Sequence, residues 1–111
     1  MDETLTSKKC VPCQGEIPPL NEKNAKMFLQ RVKGWELIDS ATKITKEYKF
    51  KNFVEAIAFV NKVAQVCESE GHHSNIEINY NKVKLTNFTH KINGLHENDF
   101  ILAAKIDELV N

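Results

Sequence analysis

The sequence lacks an excess of charge of either sign, because its 15 basic residues (Lys and Arg) are balanced by 15 acidic ones. The totals therefore do not indicate a basic surface of the kind that attracts nucleic acid or an anionic membrane. No apolar run approaches the roughly 18 residues typical of a membrane-spanning helix. The first residues, MDETLTSKK, contain no apolar segment typical of a secretory signal. These absences predict a cytoplasmic protein, with the nucleus as an open alternative.

Cysteine is also scarce. There are three among 111 residues, and an odd number without an export signal favours free thiols in a reducing compartment. Cys10 and Cys13 form a C-x-x-C pair, but a structural zinc site needs four ligands and the sequence has no second such pair. His72 and His73 could complete a set of four only with irregular spacing. We therefore expect no metal, and we expect the two thiols to pack an N-terminal arm. Cys67 is expected to be a small core residue.

The length and composition fit one small globular domain, with 41% hydrophobic and 27% charged residues. Residues 1–19 contain all three prolines and two of the three cysteines. Because proline fixes φ and removes a backbone donor, this stretch is predicted to be an irregular N-terminal arm. Residues 20–111 form the predicted single domain.

Three helices are predicted from apolar spacing and from end signals. The first begins after Asn21, a good N-cap, and is expected to end at Gly34. Asn52 opens an Asn-x-x-Glu variant of the capping box and predicts the start of the second helix, which Gly71 ends. The buried stripe of this second helix is predicted to consist of Phe53, Ile57, Val60, Ala64 and Cys67. Residues 98–110 form the third helix.

Four strands are predicted from alternating apolar residues, at 35–40, 42–50, 74–80 and 83–90. The short links within each pair of strands favour two antiparallel hairpins. The element order is then α-β-β-α-β-β-α. This order predicts an α+β fold in which three helices pack on one face of a four-stranded antiparallel sheet. Strands 42–50 and 83–90 alternate lysine with apolar residues, and we interpret them as edge strands protected against pairing with other chains.

Three of the four histidines fall within residues 68–90. If Asn81-Lys82 forms the centre of the turn between the last two strands, Ile78 faces Leu85. The same register, continued outward, places His73 opposite His90. Directly opposed residues have Cβ atoms roughly 5 Å apart, so this register predicts that two imidazoles meet at one end of the hairpin.

His72 lies beside this predicted pair, and Glu68 lies just upstream in the last turn of the second helix. Imidazole titrates near neutrality, so neighbouring rings can act as proton donor and acceptor without a metal. A nearby carboxylate can fix the tautomer of such a ring. The cluster predicts a proton-transfer site. The simpler alternative is that the histidines are solvated loop residues and that Glu68 and Asp99 are ordinary helix-end carboxylates.

The spacing of these residues resembles the motif of the pterin-4a-carbinolamine dehydratase family, also known as the dimerisation cofactor of a homeodomain transcription factor. The positions that match this motif are Glu68, His72, His73, Ser74, Tyr80, His90 and Asp99. Four further segments resemble family sequence: CVPCQGEIPPL (10–20), GW (34–35), FKNFVEAIAFVNKVA (50–64) and GLHENDFILAAKID (94–107). The resemblance extends from about residue 10 to the end of the chain.

The resemblance implies an enzyme, a 4a-hydroxytetrahydrobiopterin dehydratase of the hydro-lyase class. It would convert 4a-hydroxytetrahydropterin to quinonoid dihydropterin plus water and so recycle the pterin cofactor of aromatic amino acid hydroxylases. The resemblance also implies the α+β fold given above. It assigns a catalytic and substrate-binding set: His72, His73 and His90. It assigns a supporting set: Glu68, Ser74 and Asp99. The pterin is the substrate, and no metal or other cofactor is expected.

Three positions depart from the family pattern. Ser74 stands where proline is common, which leaves the loop after the two histidines less restricted. Ile76 stands where some members have an aromatic residue, so any aromatic surface for a pterin must come from elsewhere. His96 stands where a Ser or Thr cap is usual.

The resemblance leaves one alternative function open, a non-catalytic binding module that acts as a transcription-factor dimerisation coactivator. In either case the expected assembly is a homodimer or homotetramer. The expected partners are a small-molecule pterin and, for the coactivator, a dimerisation helix of the transcription factor. No direct contact with nucleic acid or a membrane is expected.

Overall fold

The computed structural model describes residues 5–8, 10 and 18–110 of the chain, so most of the predicted N-terminal arm lies outside the described residues. The helices and strands follow in the predicted order: α1 (Glu22–Leu29), β1 (Glu36–Ile38), β2 (Lys43–Lys49), α2 (Phe53–Glu70), β3 (Asn75–Asn79), β4 (Lys82–Asn87) and α3 (Glu97–Asp107). Short 3₁₀ turns lie at Leu5–Ser7, His90–Ile92 and Glu108–Val110. Within the described ranges, every helix is too short or too polar to cross a membrane.

The four strands form one antiparallel sheet in the order β1-β2-β4-β3. Ile44 on β2 and Leu85 on β4 are fully buried on the face that the helices cover, whereas Glu47 and Lys84 are exposed on the other face. The predicted α+β fold is therefore confirmed. The prediction that β2 and β4 are edge strands was wrong, because they pair with each other in the centre and leave β1 and β3 at the edges.

The first helix starts as predicted and ends early. The side chain of Asn21 accepts a hydrogen bond from the backbone N–H of Asn24 at 2.8 Å, which caps α1. The helix ends at Leu29, well before Gly34. The chain then tightens into a turn in which Val32 N–H donates to Leu29 C=O at 3.1 Å. This turn directs Val32 into the core, where it is 3% exposed.

Both predicted ends of α2 are confirmed. Asn52 Oδ1 accepts a hydrogen bond from Glu55 N–H at 2.9 Å, and Gly71 ends the helix in the left-handed region with φ of 66°. Of the predicted buried stripe, Cys67 is buried as expected, but the rest was wrong, and Phe53 is 48% exposed. The buried residues of α2 are Ala56, Phe59, Val63 and Cys67. This helix has apolar side chains on more than one side, so residue spacing alone fits two stripes.

The hairpin of β3 and β4 has a different register from the predicted one. Ile78 lies opposite Val83 instead of Leu85. The two residues between the strands are Tyr80 and Asn81, and Tyr80 adopts a positive φ of 53°. A shift of two residues keeps each side chain on the same face, so the core is the same in both registers.

Asn81 is held in this turn by two hydrogen bonds with Phe50. Asn81 Nδ2 donates to Phe50 C=O at 2.9 Å, and Phe50 N–H donates to Asn81 C=O at 2.8 Å. This pair of bonds fixes the centre of the turn at Tyr80-Asn81, one residue earlier than predicted. Moving the turn by one residue shifts the strand pairing by two. The expectation that His73 lies directly opposite His90 was therefore wrong.

The end of α3 is tied to the first hairpin through one carboxylate. Asp107 accepts hydrogen bonds from Trp35 Nε1 at 3.0 Å, from Tyr48 OH at 2.5 Å and from Lys46 Nζ at 3.0 Å. Burial and the Asp107 carboxylate raise the pKa of Tyr48, so its hydroxyl stays a donor. These bonds fix α3, which presents Asp99 at its opposite end.

Candidate active site

The loop between α2 and β3 carries the paired histidines. Glu68 lies in the last turn of α2, and Gly71 turns the chain through a left-handed conformation. The backbone N–H groups of Gly71 and His72 both donate to Cys67 C=O, which closes the helix end. His72 and His73 follow directly, before β3 begins. The cap therefore sets the directions in which the two rings leave the helix.

His72 is bonded to a buried carboxylate. Its Nε2 lies 2.6 Å from Asp99 Oδ1, and Asp99 is fully buried while the His72 side chain is 12% exposed. The other oxygen, Asp99 Oδ2, accepts hydrogen bonds from Thr89 Oγ1 at 2.9 Å and from His96 N–H at 3.0 Å. A carboxylate accepts hydrogen bonds, so this contact favours the His72 tautomer in which Nε2 is the donor and Nδ1 keeps its lone pair.

The same carboxylate caps α3. His96 Nδ1 accepts a hydrogen bond from Asn98 N–H at 3.0 Å, and Asp99 accepts from the backbone of His96, which together form a capping box. The departure at His96 therefore keeps the capping function with a different side chain. Asp99 therefore has two roles: it completes the cap at the start of α3, and it holds the ring of His72.

His73 is bonded to a surface carboxylate. Its Nε2 lies 2.5 Å from Glu68 Oε2, and the two side chains are 60% and 78% exposed. Water screens such a pair, so it adds little to stability. The hydrogen bond does occupy Nε2 of His73, so Nδ1 is the ring nitrogen that is left to bind a ligand.

Ser74 joins the site through Asn87. Ser74 Oγ donates to Asn87 Oδ1, and Asn87 Nδ2 donates to the backbone carbonyl of Asp99 at 3.1 Å. Asn87 is fully buried. Asn87 and Thr89 were not predicted as site residues. Asn87 alternates with Val83 and Leu85 on the core face of β4, and a polar side chain at such a position indicates a buried hydrogen bond.

His90 lies in the 3₁₀ turn that follows β4, and it is exposed. Its ring packs against Phe88 with centroids 4.1 Å apart, and Lys43 Nζ lies 4.7 Å from the centre of the same phenyl ring. Thr89, between them in sequence, holds Asp99. The hydrogen bonds of His72 and His73 do not include His90, but Thr89, its neighbour in sequence, is bonded to the same Asp99 carboxylate as His72.

The cysteines that the structure describes are poorly suited to metal or redox chemistry. The pKa of Cys10 is raised to about 12 by burial first, and then by the charge of Glu70 and the hydrogen bond with Glu70. Burial also raises the pKa of Cys67. Cys13 lies outside the described residues. Within the described ranges, no group of three or more His, Cys, Asp or Glu side chains is arranged to hold a metal ion.

The described part of the chain also contains a groove away from the predicted site residues. A groove of about 600 Å³ lies between α2 and the end of α3 and is lined in part by Lys62, Val66, Glu70, Lys105 and Leu109. None of the predicted site residues lines it. The paired imidazoles and carboxylates define the candidate site.

Comparison with known proteins gives a consistent family assignment. A family model described as pterin 4 alpha carbinolamine dehydratase matches residues 18–109. A relative from Methylococcus capsulatus, named provisionally as a pterin-4-alpha-carbinolamine dehydratase, is 54% identical over 96% of this chain and 93% of its own length. A relative from Halorhodospira halophila with the same provisional name is 48% identical over 96% of this chain and 97% of its own length.

Solved structures agree with this assignment. A transcriptional coactivator/pterin dehydratase from Brucella melitensis superposes with a TM-score of 0.79 at 32% identity, over 84% of this chain and 99% of the other. A pterin dehydratase-like protein that serves as a RuBisCO assembly factor in the alpha-carboxysome shares the fold, with a TM-score of 0.61 at 23% identity over 70% of this chain and 90% of the other. The chain belongs to the pterin 4 alpha carbinolamine dehydratase family.

Proposed function

We propose that this chain is a 4a-hydroxytetrahydropterin dehydratase that uses His72, His73 and His90 as its catalytic and substrate-binding set. The family match and the names of the two relatives support a dehydratase. The observation that carries the residue assignment is the pairing of two adjacent histidines with two carboxylates, His72 with Asp99 and His73 with Glu68.

The reaction requires two proton transfers. The bond between C4a and its hydroxyl oxygen breaks, the proton on N5 leaves, and a double bond forms between C4a and N5. The departing hydroxyl takes up a proton and leaves as water. One imidazole can take the proton from N5 while another protonates the hydroxyl, and each such step contributes about 10²–10⁴-fold.

The carboxylates prepare the rings for these transfers. With Nε2 committed to a carboxylate, Nδ1 of His72 and of His73 carries the lone pair that a base needs. The buried Asp99 holds the ring of His72 in one orientation and stabilises it when it is charged. His73 and His90 are exposed, so both can exchange protons with a bound pterin and with water. Ser74 supports the loop through Asn87.

A dehydration assay on purified variants tests the proposal. His73→Ala and His90→Ala are expected to remain folded, because both side chains are exposed. Turnover is expected to fall at least about tenfold in each, a threshold set below the about 10²–10⁴-fold that one acid–base group supplies. His96→Asn is the matched control, because asparagine is also a good helix cap, and it should keep turnover near the wild-type value. Wild-type rates in both folded site variants would refute the catalytic assignment.

A binding role is the alternative. The Brucella melitensis structure carries the name of a transcriptional coactivator as well as a pterin dehydratase, and it is 32% identical to this chain. A chain that acts only as a coactivator would bind a dimerisation helix of a transcription factor and would tolerate loss of His73 and His90. Wild-type binding of such a helix together with absent dehydration by the wild-type chain would favour this alternative.

We further propose a homodimer or homotetramer in the cytoplasm. The two edges of the sheet support self-association, since in the described part of the chain β1 and β3 each pair with one strand, and an edge strand can pair with a second copy. Ile78 on β3 is 39% exposed and would be covered by such pairing. Light scattering coupled to size-exclusion chromatography measures the mass, and a monomer at micromolar concentration would contradict this assembly.

A further inference from the structure

Three neighbouring strands bring a row of side chains to one end of the open sheet face. In the β2–β4 pair Ile44 lies opposite Asn87, so the next step of the register sets Lys43 opposite Phe88. The contact between Lys43 Nζ and the Phe88 ring, at 4.7 Å, agrees with that step. Phe88 is therefore held from the β2 side by a cation–π contact.

The pairing of β3 with β4 can be extended in the same way. Asn75 lies opposite Thr86, so the next step sets Ser74 opposite Asn87. The hydrogen bond between these two side chains indicates that the pairing continues past the end of β3. If the register is extended by one further step, beyond the ends of both strands, His73 falls opposite Phe88, the place that the sequence had predicted for His90.

Phe88 also determines where His90 lies. The two rings pack with centroids 4.1 Å apart and planes at 48°. Among the residues that the structure describes, none forms a hydrogen bond with the ring of His90, whereas Asp99 and Glu68 orient the other two histidines. The phenyl ring is the aromatic contact of His90, and the extended strand register sets Phe88 opposite His73.

We propose that Phe88 is a positioning residue that holds the ring of His90 next to His73 for proton exchange with the pterin. This inference rests on the proposed function. It also assigns a role to an aromatic residue that directly follows β4, in a chain that has Ile76 where some members of the family have an aromatic residue. Phe88 acts through His90 by holding its ring in place. The effect can be large, because a misplacement of about 1 Å in a reacting group can cost about 10²-fold in rate.

Kinetics of Phe88→Leu and Phe88→Tyr test the role. Phe88→Leu removes the flat ring surface and is expected to lower kcat at least about tenfold with little change in KM, since the ring of His90 is misplaced for proton transfer while the pterin still binds. Phe88→Tyr keeps the ring and is expected to retain most of the turnover. Phe53→Leu, at an exposed position on α2, is the matched control and is expected to behave as wild type.

A spectroscopic readout separates positioning from a loss of folding. In Phe88→Leu the ring-proton NMR resonances of His90 should move, because the ring current of the phenyl group is lost, and the NOEs from His90 to residue 88 should weaken. The resonances of His72, which is held by Asp99, should stay in place. Unchanged resonances of His90, or an effect on KM alone, would overturn the positioning role.

The outcomes also separate this inference from the proposed function. If His73→Ala and His90→Ala lose turnover while Phe88→Leu keeps it, only the role of Phe88 is wrong. If all three variants turn over like wild type, the catalytic assignment of the histidines fails and the role of Phe88 falls with it.

Discussion

Replacing Asp99 by asparagine tests the geometry of the site most directly. The carboxylate accepts three hydrogen bonds, from His72 Nε2 at 2.6 Å, Thr89 Oγ1 at 2.9 Å and His96 N–H at 3.0 Å. Asparagine has the same shape and keeps one oxygen for Thr89 and His96. Its amide nitrogen then faces His72 as a donor. His72 must accept at Nε2 and carry its proton on Nδ1, which removes the lone pair that the reaction needs.

The expected effects on stability and on activity differ in size. Asp99→Asn keeps all three contacts and loses only their charge assistance, which corresponds to about 1–3 kcal/mol of unfolding free energy. Asp99→Ala leaves three donors without an acceptor and should cost about 3–5 kcal/mol, a large part of the roughly 5–15 kcal/mol that holds a small domain together. The same Asp→Asn change beside the catalytic histidine of serine proteases lowers turnover about 10⁴-fold by trapping the wrong tautomer.

We therefore expect Asp99→Asn to remain folded and to lose at least about tenfold in turnover. Urea unfolding measures the stability, the dehydration assay measures turnover, and ¹⁵N chemical shifts of the His72 ring report the tautomer. Glu97→Gln is the matched control, because it changes a carboxylate in the same turn of α3 that is bonded to Lys8 at 2.6 Å. Turnover and ¹⁵N shifts like those of wild type in Asp99→Asn would refute the reasoning.

Two further predictions follow from buried ionisable groups. Although burial opposes it, the hydrogen bonds from Lys105 and from Cys10 N–H lower the pKa of Glu70 below its ordinary value of 4.5. Glu70→Gln should therefore cost about 1–3 kcal/mol at neutral pH, and the cost should vanish as pH falls through the lowered pKa, which urea unfolding at neutral and acidic pH would check. For Cys10, a pKa of about 12 in place of 9.0 makes the thiolate about a thousandfold rarer near neutral pH. Its alkylation by iodoacetamide should be slow until the protein unfolds, and equal rates in native and urea-unfolded protein, measured at this residue by mass spectrometry, would contradict its burial.

Local signals in the sequence predicted the starts of α1 and α2 and the end of α2 correctly. The caps at Asn21 and Asn52 and the left-handed end at Gly71 are local, because each depends on hydrogen bonds within a few residues of the helix end. The early end of α1 shows the limit of such signals. Gly34 is suited to end a helix, but burial of Val32 and Trp35 draws the chain out of the helix before it reaches that position.

The register of the second hairpin could not be predicted from alternation. Shifting the pairing by two residues leaves Ile76 and Ile78 on the core face, so the two registers bury the same side chains. The choice between them depends on the contact of Asn81 with Phe50, which is 31 residues away in sequence. The two-residue difference matters for the site, because it brings Phe88 instead of His90 into line with His73.

The six predicted site residues were found through a motif, and their catalytic roles stay predictions. The sequence analysis anticipated that a carboxylate near the histidines could fix a tautomer, but it did not say which carboxylate would meet which ring. Asp99 is 27 residues from His72 and reaches it because α3 packs behind the sheet. Asn87 and Thr89, which complete that contact, were not anticipated.

The sequence by itself determined the family, the order of the helices and strands, the helix caps and the choice of which strand faces are buried. These features depend on residue spacing and on interactions a few residues apart, which a single chain displays directly. Only the tertiary structure decided the order β1-β2-β4-β3, the buried side of α2 and the partners of each histidine. These depend on contacts between residues far apart in the chain, where several arrangements bury nearly the same apolar surface and specific hydrogen bonds select one of them.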